Sequence, residues 1–237
     1  MPREVAVVIP TYNEAENLEL IVKAVRGHGY GVVVVDDNSP DGTGDIADGL
    51  AEADAEVIVV HRPRKEGLGP AYAEGFAKAQ VGGAAIICEM DADFSHDPGT
   101  LPDLIEAVNA GAGLAIGSRY VPGGSVPGWA VSRRLISRAG NRYARFMLRT
   151  PIKDMTSGFR AYQSQALQRL EPATCEASGY GFQVEMARRA HESGTTVVEV
   201  PITFRDRLRG ESKMSWRIAL EAMKLVTLWG VKKRLGR

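Results

Sequence analysis

Ala84-Ala85-Ile86-Ile87-Cys88-Glu89-Met90-Asp91-Ala92-Asp93 is an apolar run that ends in two carboxylates spaced two residues apart. A short, continuous apolar run bounded by polar residues reads as a buried strand. Carboxylates held together at its end raise each other's pKa. Two resolutions are open: an Asp-rich turn, or a shared hard cation with oxygen ligands, Mg2+ or Mn2+. Working outward, the same grammar recurs. The runs Val5-Ala6-Val7-Val8-Ile9, Val32-Val33-Val34-Val35, Val57-Ile58-Val59-Val60 and residues 113–117 alternate with amphipathic stretches at 14–26, 43–53, 69–80 and 101–109. Continuous apolar strands with helical crossovers predict an α/β protein, a mostly parallel central sheet with helices on both faces. In such a sheet ligands bind beyond the carboxyl ends of the strands.

Those ends are polar. Pro10-Thr11-Tyr12-Asn13-Glu14 follows the first strand, Asp36-Asp37-Asn38-Ser39-Pro40-Asp41-Gly42-Thr43 the second, and His61-Arg62-Pro63-Arg64-Lys65-Glu66-Gly67 the third. Taken singly, Asn13 or Thr43 reads as a helix cap and Asp41-Gly42 as a turn. Together on one rim, carboxylates and amides suit a base and ribose, and the basic glycine-containing loop suits phosphates. No Gly-x-Gly-x-x-Gly follows the first strand and no P-loop occurs, which argues against a dehydrogenase and an NTPase.

A chain of 237 residues, 44% apolar and 24% charged, fits a single domain with a sizeable core. Its formal net charge of zero gives no general preference for nucleic acid or anionic surfaces, so any such preference is local. Cys88 and Cys175 form neither a disulfide framework nor a zinc pattern. The N-terminus leads into a strand without a signal-peptide core, and no apolar run reaches the roughly 20 residues that span a bilayer, so the chain is expected not to cross a membrane by itself.

After Ser118-Arg119-Tyr120 and a Gly- and Pro-rich loop at 121–128, residues 131–149 show helical spacing of Val131, Leu135, Ile136, Ala139, Tyr143, Phe146 and Met147. Arg134, Arg138, Arg142, Arg145 and Arg149 line another face, either solvated or a platform for an anionic partner or lipid head groups. Further on come Asp154-Met155-Thr156-Ser157-Gly158-Phe159-Arg160, a helix at 183–192, a strand at 196–200, and Phe204-Arg205-Asp206-Arg207. The loop 208–213 is cationic and glycine-hinged, fit to close over phosphate. The last helix, about 215–234, carries a narrow polar stripe (Arg217, Glu221, Lys224, Thr227) on an apolar body and ends in Lys232-Lys233-Arg234. It reads as an interfacial helix or as one buried against the core or a second copy.

Together, Pro10-Thr11-Tyr12-Asn13-Glu14, residues 35–43, Asp91-Ala92-Asp93, Ser118-Arg119-Tyr120 and Gly210-Glu211-Ser212-Lys213 resemble the inverting family 2 glycosyltransferases of GT-A fold, most of all the polyprenol-phosphate (dolichol-phosphate) mannosyltransferases. The resemblance covers nearly the whole chain. It implies transfer of mannose from GDP-mannose to a polyprenyl phosphate with Mg2+ or Mn2+, in one domain over 1–237 whose nucleotide-sugar half is 1–118 and acceptor half 119–237. It implies that Pro10, Tyr12, Glu14, Val35 and Asp37 contact the nucleoside, and that Asp91, Ala92 and Asp93 meet the diphosphate, metal and sugar, with Asp91 and Asp93 as metal ligands. Arg119, Arg207 and Lys213 would bracket the phosphates, Arg133 or Arg134 would assist the acceptor phosphate, and Asp93, Arg119 and Lys213 form the catalytic set. Some relatives carry Gln where Ser95 stands; Ser is the weaker ligand, which implies water between it and a metal. The Gln-x-x-Arg-Trp motif of processive synthases is absent. The membrane contact implied is peripheral, on the cytoplasmic face, or borrowed from a membrane-anchored partner. A UDP-glucose or other nucleotide-sugar donor and a non-catalytic nucleotide-sugar-binding role stand as alternatives.

Overall fold

The computed structural model describes residues 4–177, 179–206 and 216–235. Strands β1 (Val5–Thr11), β2 (Gly31–Asp36), β3 (Val57–His61), β4 (Ile86–Glu89), β5 (Leu114–Ser118), β6 (Arg160–Gln163) and β7 (Val197–Pro201) form one sheet in the order β3-β2-β1-β4-β6-β5-β7. All neighbours pair in parallel except β6, which runs antiparallel to both β4 and β5. The mostly parallel sheet is thus observed, with one reversed strand that the apolar pattern does not announce. The helices are α1 (Leu18–Gly27), α2 (Thr43–Ala53), α3 (Leu68–Val81), α4 (Leu101–Asn109), α5 (Val131–Leu148), α6 (Ser164–Arg169), α7 (Tyr180–Glu192) and α8 (Trp216–Arg234).

Successive side chains of a strand point to opposite faces, and here both faces are covered. Ala6, Val8, Val33, Val35 and Ile87 pack under α3, α5, α7 and α8, whereas Val7, Ile9, Val32, Val34 and Cys88 pack under α1, α2 and α4. This is why the strands read as continuous apolar runs. The seat of α3 is especially close because residue 75 is glycine: a Cβ there would stand 2.3 Å from Val8 Cγ1 and 2.9 Å from Val35 Cγ2.

The first helix, expected over 14–26, begins at Leu18, because Glu14 to Asn17 form a turn in which the Asn17 and Leu18 amides donate to the Glu14 carbonyl. The side chain of α8 residue Trp229 and that of Val226 are buried against the core, and Gly230 lies on Met147, while Leu228, Val231 and Leu235 on its other side are exposed. The last helix therefore docks by one side and leaves an apolar side open. Among the described residues no helix is long and apolar enough to cross a membrane.

β1 has β2 on one side and β4 on the other, so the direction of crossover reverses between β1 and β4. The crevice beyond their carboxyl ends is the place where such sheets bind ligands. Asp91, Ala92 and Asp93 follow β4 directly into it.

Candidate active site

The first two rim loops are stapled together by side chains. Asp36 accepts from the Ser39 amide (3.0 Å), the Ser39 hydroxyl (2.5 Å) and the Thr11 hydroxyl (3.1 Å). Asp41 accepts from the Thr43 hydroxyl (2.5 Å) and amide (3.1 Å) and from the Ala15 amide (3.2 Å), while the Glu14 amide donates to Thr43 Oγ1 (2.9 Å). Burial works against ionisation of Asp41, yet these donors outweigh it and hold the carboxyl below its ordinary range. Asp41-Gly42 is the turn the sequence indicates. Neither Asn13 nor Thr43 caps a helix: Thr43 is the first residue of α2, and its hydroxyl is spent on the loop clamp.

Next to this clamp stand the residues expected at the nucleoside. Pro10, Tyr12 and Glu14 are part-exposed, and Lys65 Nζ stands 3.9 Å from the Tyr12 ring centroid. Val35, expected at the nucleoside, is instead fully buried, its side chain against α3 and its backbone in the sheet between β1 and β3, where the Thr11 hydroxyl also donates to its carbonyl (3.4 Å). Asp37 is ion-paired to Arg62, which also binds Glu66 (3.0 Å) and Glu74 (2.9 Å) and is 2% exposed. Burial lifts the Asp37 carboxyl above its usual value against the pull of Arg62. The basic loop expected to hold phosphates thus commits its first arginine to scaffolding.

Beyond β4, Asp93 is nearly buried and its Oδ1 accepts from the Ser95 amide at 3.0 Å. Between them Phe94 has φ 58°, an uncommon left-handed conformation for a bulky residue, of the kind that clusters at functional sites. Ala92 is buried and Asp91 part-exposed. Two carboxylates with hard oxygen donors at this switch point fit Mg2+ or Mn2+. Among the described residues no group of three or more His, Cys, Asp or Glu side chains forms a cage, so such an ion would complete its shell with diphosphate oxygens and water. The Ser95 amide serves Asp93 and its carbonyl accepts from the Arg205 amide (3.1 Å), which fixes the loop's return.

Arg119, just after β5, is locked onto Asp154: Nε and Nη2 donate at 2.7 Å each, the Arg119 amide at 3.0 Å, and Nη2 also reaches Thr156 Oγ1 at 2.7 Å. Burial disfavours the Asp154 carboxylate, but Arg119 more than compensates and holds its pKa below the usual range. Aromatic rings surround the guanidinium, with Tyr120 and Phe204 centroids at 5.4 Å and Trp129 at 5.7 Å. Arg133 lies 4.0 Å over the Trp129 ring and pairs with Asp206 at 2.6 Å. Arg134, one residue on, is part-exposed on α5. His96 packs between Phe159 and Phe204; burial drives its pKa down to about 4, with Asp93 opposing and Arg119 assisting.

Beneath the site Glu89 and Arg160 form a fully buried pair at 3.3 Å. Arg160 also donates to the carbonyls of Ser157 (2.8 Å), Met155 (3.0 Å) and Gln183 (2.9 Å), so it ties the loop after Asp154 and helix α7 to the floor under Asp91. Burial raises the Glu89 carboxyl to about 7 against the pull of Arg160.

Asp154, Arg62, Trp129, His96 and the Glu89–Arg160 pair were not singled out by sequence. Asp154 and Arg160 lie in a polar stretch that drew notice without an assigned role, and Glu89 sits two residues before Asp91. Arg207, Lys213 and the 208–213 loop lie outside the described residues.

The sheet order, the single reversed strand and an acidic pair at the switch point define a GT-A fold. The chain belongs to glycosyl transferase family 2, whose model matches residues 6–171. It is 50% identical over 235 residues to a polyprenol monophosphomannose synthase from Mycolicibacterium smegmatis, covering 98% of this chain and 88% of the relative. It is 49% identical over 232 residues to an undecaprenyl-phosphate mannosyltransferase from Micrococcus luteus, covering 97% and 95%. Among solved structures it is similar to glucosyl-3-phosphoglycerate synthase from Mycobacterium tuberculosis, in complex with Mn2+, UDP and glucosyl-3-phosphoglycerate (TM-score 0.65, 20% identity, 99% of this chain and 80% of that one). A mannosyltransferase from Pyrobaculum calidifontis in complex with GDP-Man and Mn2+ is similar at TM-score 0.61 and 19% identity, over 100% of this chain and 65% of that one. At these identities the last two bear on the fold alone.

Proposed function

We propose that this chain transfers mannose from GDP-mannose to a polyprenyl phosphate with inversion, giving a β-linked lipid sugar, as a metal-dependent enzyme working peripherally on the cytoplasmic face of a membrane. The observation that carries the reading is the acidic pair Asp91 and Asp93 at the β1–β4 switch point, in a chain about half identical along nearly its whole length to relatives named for this transfer.

Asp91 and Asp93 would hold Mg2+ or Mn2+, and the ion supplies Lewis-acid stabilisation to the departing nucleotide diphosphate. Tyr12 and Lys65 would offer a stacking face and a cation to the nucleoside, with Pro10 and Glu14 part-exposed beside them. Arg119, with its plane fixed by Asp154, is pre-organised to orient phosphate oxygens, and Arg133 and Arg134 extend that charge along α5 toward the acceptor. Arg207 and Lys213 are assigned to the same phosphates on the resemblance alone.

The chemistry of the rim favours a phosphate acceptor over an alcohol. An alcohol must lose its proton to a base. Here Asp36, Asp37, Asp41 and Asp154 are each committed to named donors, and His96, with a pKa of about 4 and 2% exposure, is a weak and shielded base. A phosphate monoester is anionic near neutral pH without assistance. The task left to the protein is in-line positioning and charge stabilisation.

The test offers GDP-mannose, UDP-glucose and UDP-N-acetylglucosamine in turn, with polyprenyl phosphate and Mg2+ or Mn2+. A mild-acid-labile lipid sugar is expected from GDP-mannose, and Asp93→Ala is expected to remove nearly all turnover while the fold persists. Product from UDP-glucose alone would replace the donor, nucleotide-sugar binding without turnover would replace the class, and wild-type turnover in Asp93→Ala would remove the metal role.

A further inference from the structure

A cleft of about 580 Å³ opens beside α5, with the lining residue Asn141 hydrogen-bonded to the same Thr156 hydroxyl that Arg119 reaches. Arg138, Arg142, Arg145 and Lys153 line it, and no carboxylate does. Its floor is fixed: the Asn141 side chain donates to the Ser137 carbonyl (3.1 Å) and Thr156 Oγ1 (3.2 Å) and accepts from the Met155 amide (2.8 Å), and the Tyr120 hydroxyl donates to Ser137 Oγ (2.6 Å).

Among the described residues the cations in this cleft lack the carboxylate partners that several arginines elsewhere in the chain have. Arg26, Arg62, Arg119, Arg133, Arg160, Arg188 and Arg189 each have a carboxylate partner. Among the described residues Arg138, Arg142, Arg145 and Lys153 have none; Arg138 lies 5.9 Å from the Tyr120 ring centroid, and Arg145 Nε is buried without a hydrogen-bond partner. Four like charges around one cleft repel each other unless an anion enters, and the zero net charge of the chain is therefore locally broken here.

The same face of α5 says which anion. The arginines do not keep the separate face that the sequence spacing suggested: positions 131, 135, 138, 142, 145 and 146 fall within one helical stripe, so the exposed side chains Val131 (67%), Leu135 (61%) and Phe146 (69%) run alongside them. An apolar ridge beside a cationic row is the pattern of a helix that lies in the membrane interface with its cations at phosphate level. A free anion has no use for the ridge. We propose that this cleft binds the phosphate head group of an anionic bilayer lipid, at a place separate from the phosphate of the acceptor. The proposal rests on reading the chain as an enzyme that meets a lipid substrate at a membrane surface. Through Asn141 and Thr156 the cleft backs directly onto Arg119, so a lipid seated there sets the bilayer surface against the acceptor side of the active site.

The test is flotation of the full chain with phosphatidylcholine vesicles, with and without phosphatidylglycerol and without acceptor. The wild type is compared with a variant carrying Arg138→Gln, Arg142→Gln and Arg145→Gln, whose circular dichroism and unfolding curve are checked first. Vesicle binding that needs phosphatidylglycerol and falls on the order of a hundredfold in the variant is the expected result, at the usual contribution of a basic residue near an anionic surface. Turnover of a water-soluble short-chain polyprenyl phosphate is expected to be unchanged in the variant. Equal vesicle binding by the two proteins overturns the proposal, and so does loss of the soluble turnover, which would make the cleft part of the acceptor site. Arginine-dependent vesicle binding by a wild type that transfers no sugar would keep the cleft and remove the proposed function.

Discussion

Replacing Asp154 by Asn tests whether the arginine at the centre of the site is held by charge or only by shape. Asp154 is fully buried and the Arg119 side chain 8% exposed, so water does little to screen the pair. Its two oxygens take three hydrogen bonds from Arg119 and one from Thr156 (3.2 Å). Asn keeps one acceptor oxygen, turns an amide donor toward the guanidinium, and leaves a buried cation without its counter-charge. Breaking a buried ion pair from one side costs about 3–5 kcal/mol. Equilibrium urea unfolding at pH 7 should register that loss. Glu199→Gln is the control, because among the described residues Glu199 accepts the backbone amides of Lys153 (2.8 Å) and Asp154 (2.9 Å), and Gln forfeits roughly one hydrogen bond, about 1 kcal/mol. The folded pKa of Asp154 is depressed, so its stabilisation is present above the unfolded carboxylate value and is lost as pH falls through the folded one. The two proteins should therefore converge in stability on acidification. An Asn variant within about 1 kcal/mol of wild type at pH 7, or no more affected than Glu199→Gln, would show that Arg119 does not depend on this partner.

Two further outcomes follow from packing and titration. Gly75→Ala places a methyl 2.3 Å from Val8 Cγ1 and 2.9 Å from Val35 Cγ2, so α3 must lift from β1 and β2; thermal or urea unfolding should show a loss of about 1–3 kcal/mol, and an unchanged midpoint would mean that the helix seat is looser than described. The His96 pKa is lowered from 6.5 to about 4, so the unfolded chain takes up this proton first on acidification, and stability is lost as pH falls from 6.5 toward 4, by up to about 3 kcal/mol. Glu89, raised to about 7, acts with the opposite sign in an overlapping window, because the folded state holds its proton more tightly there. His96→Phe keeps a ring between Phe159 and Phe204 and removes only the first contribution, so the stability difference between variant and wild type should change with pH between 6.5 and 4; a constant difference would exclude His96 as a source of the acid sensitivity.

The parts of this molecule that could be read from sequence are those whose cause is local. β1, β2 and β4 are buried on both faces and β3, at the sheet edge, is part-buried, so each begins as an apolar run, and the loops that follow them are polar because strand ends at a switch point face solvent and ligand. β6 had no such signature: Arg160-Ala161-Tyr162-Gln163 places an arginine in the middle of the sheet, and its burial is tolerable only because Glu89 on β4 stands beside it. The same limit applies to the charges of the site. Arg62 reads as a phosphate-binding cation because Arg64 and Lys65 follow it, whereas the fold brings Asp37 and Glu74 to it from two other elements. Asp154 reads as one polar residue among several, and its significance comes entirely from Arg119. Sequence shows the sign of a charge but not its partner, and the partner decides the role. Asp37, Asp41 and Asp154 are enclosed by donors and act as scaffold. By the same test Arg138, Arg142 and Arg145, which no carboxylate of the described chain approaches, keep their charge for something outside it, and the exposed apolar ridge along that helix limits what that something is.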